Sequence, residues 1–276
     1  MKHVPDGRRP GDLHVRPAEV ELAGGTSNHG LVVRVGDTVR RPQSPASPAI
    51  HALLRYLERV GFDGAPRLLG TDDEGREVLS FVPGAAATFP YPPWALTDAA
   101  LGSVADLLRR YHETVRSFDP ARFRWGSCVP AAFRTGLVSH NDPNLDNVVF
   151  QDGEAVALID FDLASPGSAV WDVALAARLW VPLRDPRDVD AQLAERMHDR
   201  LRLFVEAYGL PEPERRRVAS AVMQTHGWCY DIVHAGASRG QPGYVGYWTA
   251  WARARDLRGR QWLAANLQRL DASLAR

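Results

Sequence analysis

Val138-Ser139-His140-Asn141-Asp142-Pro143-Asn144-Leu145-Asp146-Asn147-Val148-Val149-Phe150, then the turn Gln151-Asp152-Gly153, then Ala155-Val156-Ala157-Leu158-Ile159-Asp160-Phe161-Asp162, decides how this chain is read. A short apolar strand delivers His140 and Asp142 into a loop. Asp146 and Asn147 follow in that loop, and a second apolar strand, Ala155 to Ile159, delivers Asp160. Carboxylate, amide, strand, carboxylate is the order that phosphoryl transfer from a nucleotide requires. One carboxylate orients the attacking hydroxyl, while the amide and the second carboxylate hold Mg²⁺ on the phosphates. A calcium loop shares the Asp142, Asn144, Asp146 spacing, but it needs Gly where Asn147 stands and Glu where Gly153 stands. A plain polar hairpin explains the Asp152-Gly153 turn but not the acids at the ends of both strands.

The chain has 276 residues, enough for one large domain or two lobes with a core that needs no staples. Its 33 basic and 33 acidic residues balance, so charge favours neither nucleic acid nor an anionic membrane as partner. No apolar run approaches the length of a membrane span. Cys128 and Cys229 have no pairing logic, and no charged-then-apolar leader opens the sequence, so a reducing, cytoplasmic setting is expected.

These motifs resemble the aminoglycoside phosphotransferase and choline kinase-like family of small-molecule kinases. The family's catalytic loop, His-x-Asp-x-x-x-x-Asn, is matched by His140, Asp142 and Asn147, and its metal segment by Ile159-Asp160-Phe161-Asp162. The resemblance implies an α+β, protein-kinase-like fold with a small β-rich lobe and a larger, mainly helical one. Its implied cofactors are ATP or GTP with Mg²⁺, and its implied partner is a small molecule with an acceptor hydroxyl. Asp142 is then the catalytic carboxylate, His140 shapes its loop by hydrogen bonding, and Asn147 and Asp160 are the metal ligands. The alternative on the same scaffold is a non-catalytic binding or immunity protein.

Residues 1–17 read as a flexible basic lead-in, 18–82 as the smaller lobe and 83–276 as the larger. In the smaller lobe a strand from Val20 enters Gly24-Gly25-Thr26-Ser27-Asn28, whose small residues and donors suit a loop over nucleotide phosphates. Leu31 to Val35 and Thr38 to Arg41 continue a β-meander. Family members carry a phosphate-holding lysine on this last strand, yet Lys2 is the only lysine here. Arginine can grip phosphate in its place. The strand pattern favours Arg40, with Arg41 second. A helix over about 48–61 follows, from the spacing of Ile50, Leu53, Leu54 and Leu57. The glutamate that family members place on it is absent, with Ile50 or His51 at that position. Two more strands, 66–70 and 77–82, lead to Ser80-Phe81-Val82, where the family binds adenine through backbone groups.

A helix over 97–117 opens on Thr97 as N-cap. Near its end stands His112, read as structural, as is Asp172 in a later helix. From about residue 187 the chain reads as helical, with a Gly-rich break from Gly236 to Gly243. In the family, helices here build the acceptor pocket, which makes His226, Trp228, Tyr230, Asp231 and His234 candidates. His226, Cys229 and His234 share a helical face and suggest a metal triad, although closed zinc sites want four ligands. Aminoglycosides are polycations and want an acidic pocket, but Met223 to Trp248 offers only Asp231 as an acid. The aromatic residues of the last hundred positions suit either a pocket or a dimer interface.

Overall fold

Alternating short strands and a single amphipathic helix give the N-terminal part of the chain an antiparallel sheet. The computed structural model describes residues 18–22, 28 and 30–275. Strands β1 (Val20–Glu21), β2 (Val33–Val35) and β3 (Thr38–Arg41) form the meander. Helix α1 (Ser47–Arg59) follows, then β4 (Leu68–Thr71) and β5 (Glu77–Ser80). The sheet order is β1-β2-β3-β5-β4, with every neighbour antiparallel. Helix α1 buries Ile50, Leu53, Leu54 and Leu57, the stripe that its sequence spacing sets.

β6 (Ala85–Ala86) leads to α2 (Asp98–Val115), where Thr97 accepts a capping hydrogen bond from the Ala100 amide at 3.1 Å. Next come β7 (Leu137–Ser139), β8 (Val148–Gln151), β9 (Glu154–Leu158) and β10 (Ser165–Gly167). β8 and β9 are the expected hairpin. Asp152 and Gly153 both take positive φ (51° and 86°), the turn whose twist matches that of its strands. β10 pairs with β7. A side chain at Gly167 would come within 2.2 Å of the Ser139 hydroxyl, so close approach of these strands requires glycine there.

Helices α3 (Ala169–Trp180), α4 (Ala191–Glu195), α5 (Met197–Tyr208), α6 (Glu212–Ser238), α7 (Pro242–Tyr247) and α8 (Ala250–Leu274) complete the fold. α3 is buried almost all round, with Trp171 and Trp180 at its ends inaccessible to water. It packs against α2, α5 and α6, and forms the centre of the helical part. Arg200 of α5 donates to the Trp180 carbonyl at 3.0 Å and so closes the C-terminal end of α3. The break between the last helices falls later than the glycine pattern suggests: Gly236 lies inside α6, packed beneath Tyr244. No helix among the described residues is long and apolar enough to cross a membrane.

Candidate active site

Hairpin register brings the metal-ligand candidates together. Val148 pairs with Leu158, and the ladder continues one step further as the Ile159 amide donates to the Asn147 carbonyl at 2.9 Å. Asn147 and Asp160 therefore leave the same end of the hairpin. Asp160 then adopts the left-handed conformation (φ 60°), which turns the chain out of the strand direction. Asn141 does the same in the catalytic loop (φ 66°). Two non-glycine residues in this sparsely populated region, one on each side of Asp142, are strain that the surroundings must hold.

The group that holds Asn141 is Asp172, at the start of α3. Its carboxylate is wholly buried and accepts the His140 amide at 2.6 Å and the Asn141 amide at 2.7 Å. It also accepts from His112 Nε2 at 2.9 Å, and His112 Nδ1 meets the Tyr208 hydroxyl at 2.8 Å. α2, α3, α5 and the catalytic loop are thus tied through one carboxylate. The Asn141 side chain adds a second anchor, donating to the Leu163 carbonyl and the Ser165 hydroxyl, both at 2.8 Å.

His140 sits under the loop. Because the Ile159 carbonyl only accepts, His140 Nε2 is the protonated nitrogen, donating at 3.0 Å, and Nδ1 accepts the Asp142 amide at 3.3 Å. Burial keeps this ring's pKa below the usual histidine value, in keeping with that tautomer. Asn147 Nδ2 donates to the Asp142 carbonyl and to its carboxylate, both at 3.0 Å. Asn144 Nδ2 also reaches that carboxylate, at 2.5 Å. Burial and the nearby carboxylates of Asp160 and Asp146 push Asp142 well above the usual carboxylate range, against the pull of Arg178 and Asn147.

Arg41 completes the cluster. Side chains alternate along β3, so Thr38 and Arg40 share one face and Arg41 takes the other. Arg40, favoured by the strand pattern, turns to the Thr38 hydroxyl at 2.7 Å and lies 3.6 Å from Asp72. Arg41 is buried and fans out to three acids: Glu77, Asp160 at 2.8 Å, and Asp162. Burial alone lowers an arginine's pKa, but these three carboxylates overcome it and hold the guanidinium charged. Burial and Asp160 push Asp162 up to about 6, although Arg41 draws it down. Glu77 faces Arg41 across the β3–β5 ladder and also meets His51 Nε2 at 2.5 Å. An acid from a strand, and none from α1, therefore meets Arg41, and a histidine of α1 takes the remaining bond. Glu77 escaped the sequence reading because its partner lies 36 residues away; the signal was its place as the one acid among Val78, Leu79 and Ser80.

Gly24, Gly25, Thr26 and Ser27 lie outside the described residues. Asn28 is described, and its Nδ2 donates to Asp162 at 2.9 Å, which brings this end of the loop to the acids. At the segment expected to meet adenine, the Phe81 amide already donates to the Asp37 carbonyl at 2.9 Å, and the Ser80 hydroxyl accepts the Arg67 amide at 2.8 Å.

The five acceptor-side candidates on α6 do not converge. His226 is buried 3.0 Å from Asp256 of α8. Trp228 donates to the Cys128 carbonyl at 3.0 Å and sets its ring edge-on to Trp171. Tyr230 and His234 group with Trp248 in an aromatic cluster, and Asp231 is exposed. The metal triad is not formed: Cys229 contacts Arg178 at 3.0 Å, and no group of three or more His, Cys, Asp or Glu is placed to hold a metal among the described residues. Mg²⁺ on nucleotide phosphates asks less of the protein, usually one or two hard oxygens. Asn147, its amide nitrogen committed to Asp142, has its carbonyl oxygen to offer, and Asp160 has the oxygen that Arg41 does not take. The donor set fits Mg²⁺.

A family model described as "Phosphotransferase enzyme family" matches residues 121–204. The trifolitoxin immunity protein of Rhizobium leguminosarum bv. trifolii is 30% identical over 276 residues, covering 93% of this chain and 99% of that protein. Among solved structures, a choline/ethanolamine kinase family protein from Mesorhizobium loti superposes with a TM-score of 0.63 at 18% identity, over 95% of this chain and 94% of that one. The GDP complex of an aminoglycoside 2'-phosphotransferase variant superposes at 0.53 and 15% identity, over 95% and 93%. The fold is α+β and protein-kinase-like, an antiparallel sheet followed by a largely helical region.

Proposed function

The chain belongs to the phosphotransferase enzyme family, and on that premise we propose that it transfers the γ-phosphate of ATP or GTP to a hydroxyl of a small molecule. The observation that carries this reading is the meeting of Asn147 and Asp160 at one end of the β8–β9 hairpin, with Asn147 hydrogen-bonded to Asp142 and Asp172 holding the catalytic loop.

The nucleotide lies between residues 18–82 and residues 83–276, with Asn28 toward its phosphates and Ser80 to Val82 at its base. Arg41, rather than Arg40, stands on the phosphate side. Its guanidinium already spans Asp160 and Asp162, and when phosphates arrive it has a second set of oxygens to bind. Asn147 and Asp160 would hold Mg²⁺, which supplies charge neutralisation on the β- and γ-phosphates. Asp142 accepts the hydrogen bond of the acceptor hydroxyl and aligns it with phosphorus. Burial and the carboxylates of Asp160 and Asp146 raise its pKa and so make it a stronger base than an exposed carboxylate. Because the transition state is loose, this positioning and the surrounding charges do most of the catalysis.

The 30% relative's name supports a second reading, an immunity protein that binds its target without turnover, and the missing strand lysine agrees with it. Replacing Asp142 separates the two. With labelled ATP or GTP, Mg²⁺ and a panel of hydroxyl-bearing antibiotics and metabolites, Asp142→Asn should lower transfer by about 10²–10⁴-fold while nucleotide still binds. Nucleotide binding with no turnover in the parent would favour the non-catalytic reading.

A further inference from the structure

We infer that the acceptor carries an anionic group, a carboxylate or a phosphate, beside the hydroxyl it presents to Asp142. This deepens the kinase reading above and rests on it.

The inference comes from three arginines on the helical side of the catalytic loop. Arg178 and Asp172 are the two charged residues in the otherwise apolar α3. Arg178 Nη2 reaches the Cys229 sulfur at 3.0 Å, and its buried Nε has no hydrogen-bond partner. It lies near the Asp142 carboxylate of the catalytic loop. Arg184, just past α3, has one hydrogen bond, a long 3.4 Å contact to the Arg178 carbonyl. Its charged neighbours are Arg178 and, from α8, Arg255, with the hydroxyls of Tyr91 and Tyr247 nearby. Burial first, and then these two guanidiniums, push Arg184 down to about 10.

Arg178, Arg184 and Arg255 are half-buried, and among the described residues the two fully buried arginines are neutralised. Arg41 has Glu77, Asp160 and Asp162, and Arg200 has Asp98. Among the described residues, no ion pair joins an acid to Arg178, Arg184 or Arg255. Gathering three half-buried guanidiniums, with only the nearby Asp142 carboxylate to offset Arg178, is unfavourable. It is a sensible arrangement where a ligand brings the anion, because guanidinium groups grip carboxylate and phosphate in a fork. The cluster also sits where an acceptor must. Tyr91 lies near both Arg184 and Asp146 of the catalytic loop, and the Trp180 indole N–H, at the end of α3, donates to the Pro143 carbonyl at 2.9 Å. Trp251 stands 62% exposed with Arg255 against its face, giving the anion site an aromatic edge. Arg41, on the sheet side, is the arginine placed for nucleotide phosphates; the three described here come from other elements.

The test uses matched acceptors and the full-length chain. Transfer from labelled ATP with Mg²⁺ is compared for N-benzoylserine against its amide, for glycerol 3-phosphate against glycerol, and for choline and kanamycin. The same compounds are scored by thermal shift without nucleotide, on the parent, Arg184→Gln and Arg255→Gln. At least one anionic member should exceed its neutral partner tenfold or more in transfer, and the responding pair says whether carboxylate or phosphate is recognised. Arg184→Gln should remove that preference while the nucleotide-induced shift stays unchanged, and Arg255→Gln should reduce it with less risk to folding. Preference for neutral or cationic members, a preference that survives both substitutions, or binding of nucleotide with no transfer to or shift by any anionic member would overturn the inference. Anion-induced stabilisation lost in Arg184→Gln, with no nucleotide response in any protein, would support the anion site and remove the kinase reading alone.

Discussion

Asp172→Ala will cost this protein about 3–5 kcal/mol, because breaking a buried charge network by removing one partner leaves the others uncompensated. The carboxylate has no exposure, and its loss strands the His140 and Asn141 amides and His112 Nε2, three donors that water cannot reach. Each buried donor left without an acceptor costs about 1–3 kcal/mol. A loss of this size lowers the melting temperature by roughly 10 °C in a chain of this length. Asp172→Asn keeps the shape and one acceptor oxygen, but its amide N–H₂ must face donors, so it should fall between parent and alanine variant. Thermal melts of the three proteins rank them. Asn141 holds its left-handed conformation only because Asp172, Leu163 and Ser165 fix it. The folded fraction of either variant should therefore also bind an acceptor poorly, with Asp142 no longer in register.

Arg41→Ala should have an effect of similar size for the opposite reason. It removes the one cation among Glu77, Asp160 and Asp162, leaving carboxylates close together with Glu77 1% exposed. Breaking a buried ion pair from one side costs about 3–5 kcal/mol, most of it the unpaired charge left behind. Adding Glu77→Gln removes part of that charge, so the double variant should be more stable than Arg41→Ala alone. A double variant no more stable than the single would mean the charges are relieved by water and that the cluster does not hold the sheet to the metal segment. Arg41→Lys keeps the charge but not the fork, since one ammonium cannot serve three carboxylates in the same geometry. It should recover only part of the loss.

Asp142, Asn147 and Asp160 were legible in the sequence because a hairpin turns sequence spacing into spatial adjacency. Once Asp152-Gly153 is read as the turn, the ends of β8 and β9 have to meet. The capped helix α2 and the stripe on α1 were legible for a similar reason, as local periodicity. Arg40 against Arg41 was not, because one step along a strand reverses the face and nothing local fixes the register. That register depends on β5, whose Glu77 pairs with Arg41. The acceptor side was least legible. His226, Trp228, Tyr230 and His234 share a helix, yet α6 packs against α3 on one side and α7 and α8 on others, which sends them to different partners. Arg178, Arg184 and Arg255 carry no shared motif, since they arrive from an apolar helix, a loop and the last helix. A lone arginine in the apolar run of α3 was the one hint available.

Asp160, at the end of β9 and against Arg41, should help hold a metal-bound nucleotide. Thermal stability should be measured with ATP and with GTP, each with and without Mg²⁺, on the parent and on Asp160→Ala. The parent should be stabilised by nucleotide only when Mg²⁺ is present, and Asp160→Ala should lose this response. Stabilisation of equal size in both proteins, or none in the parent, would contradict this role of Asp160.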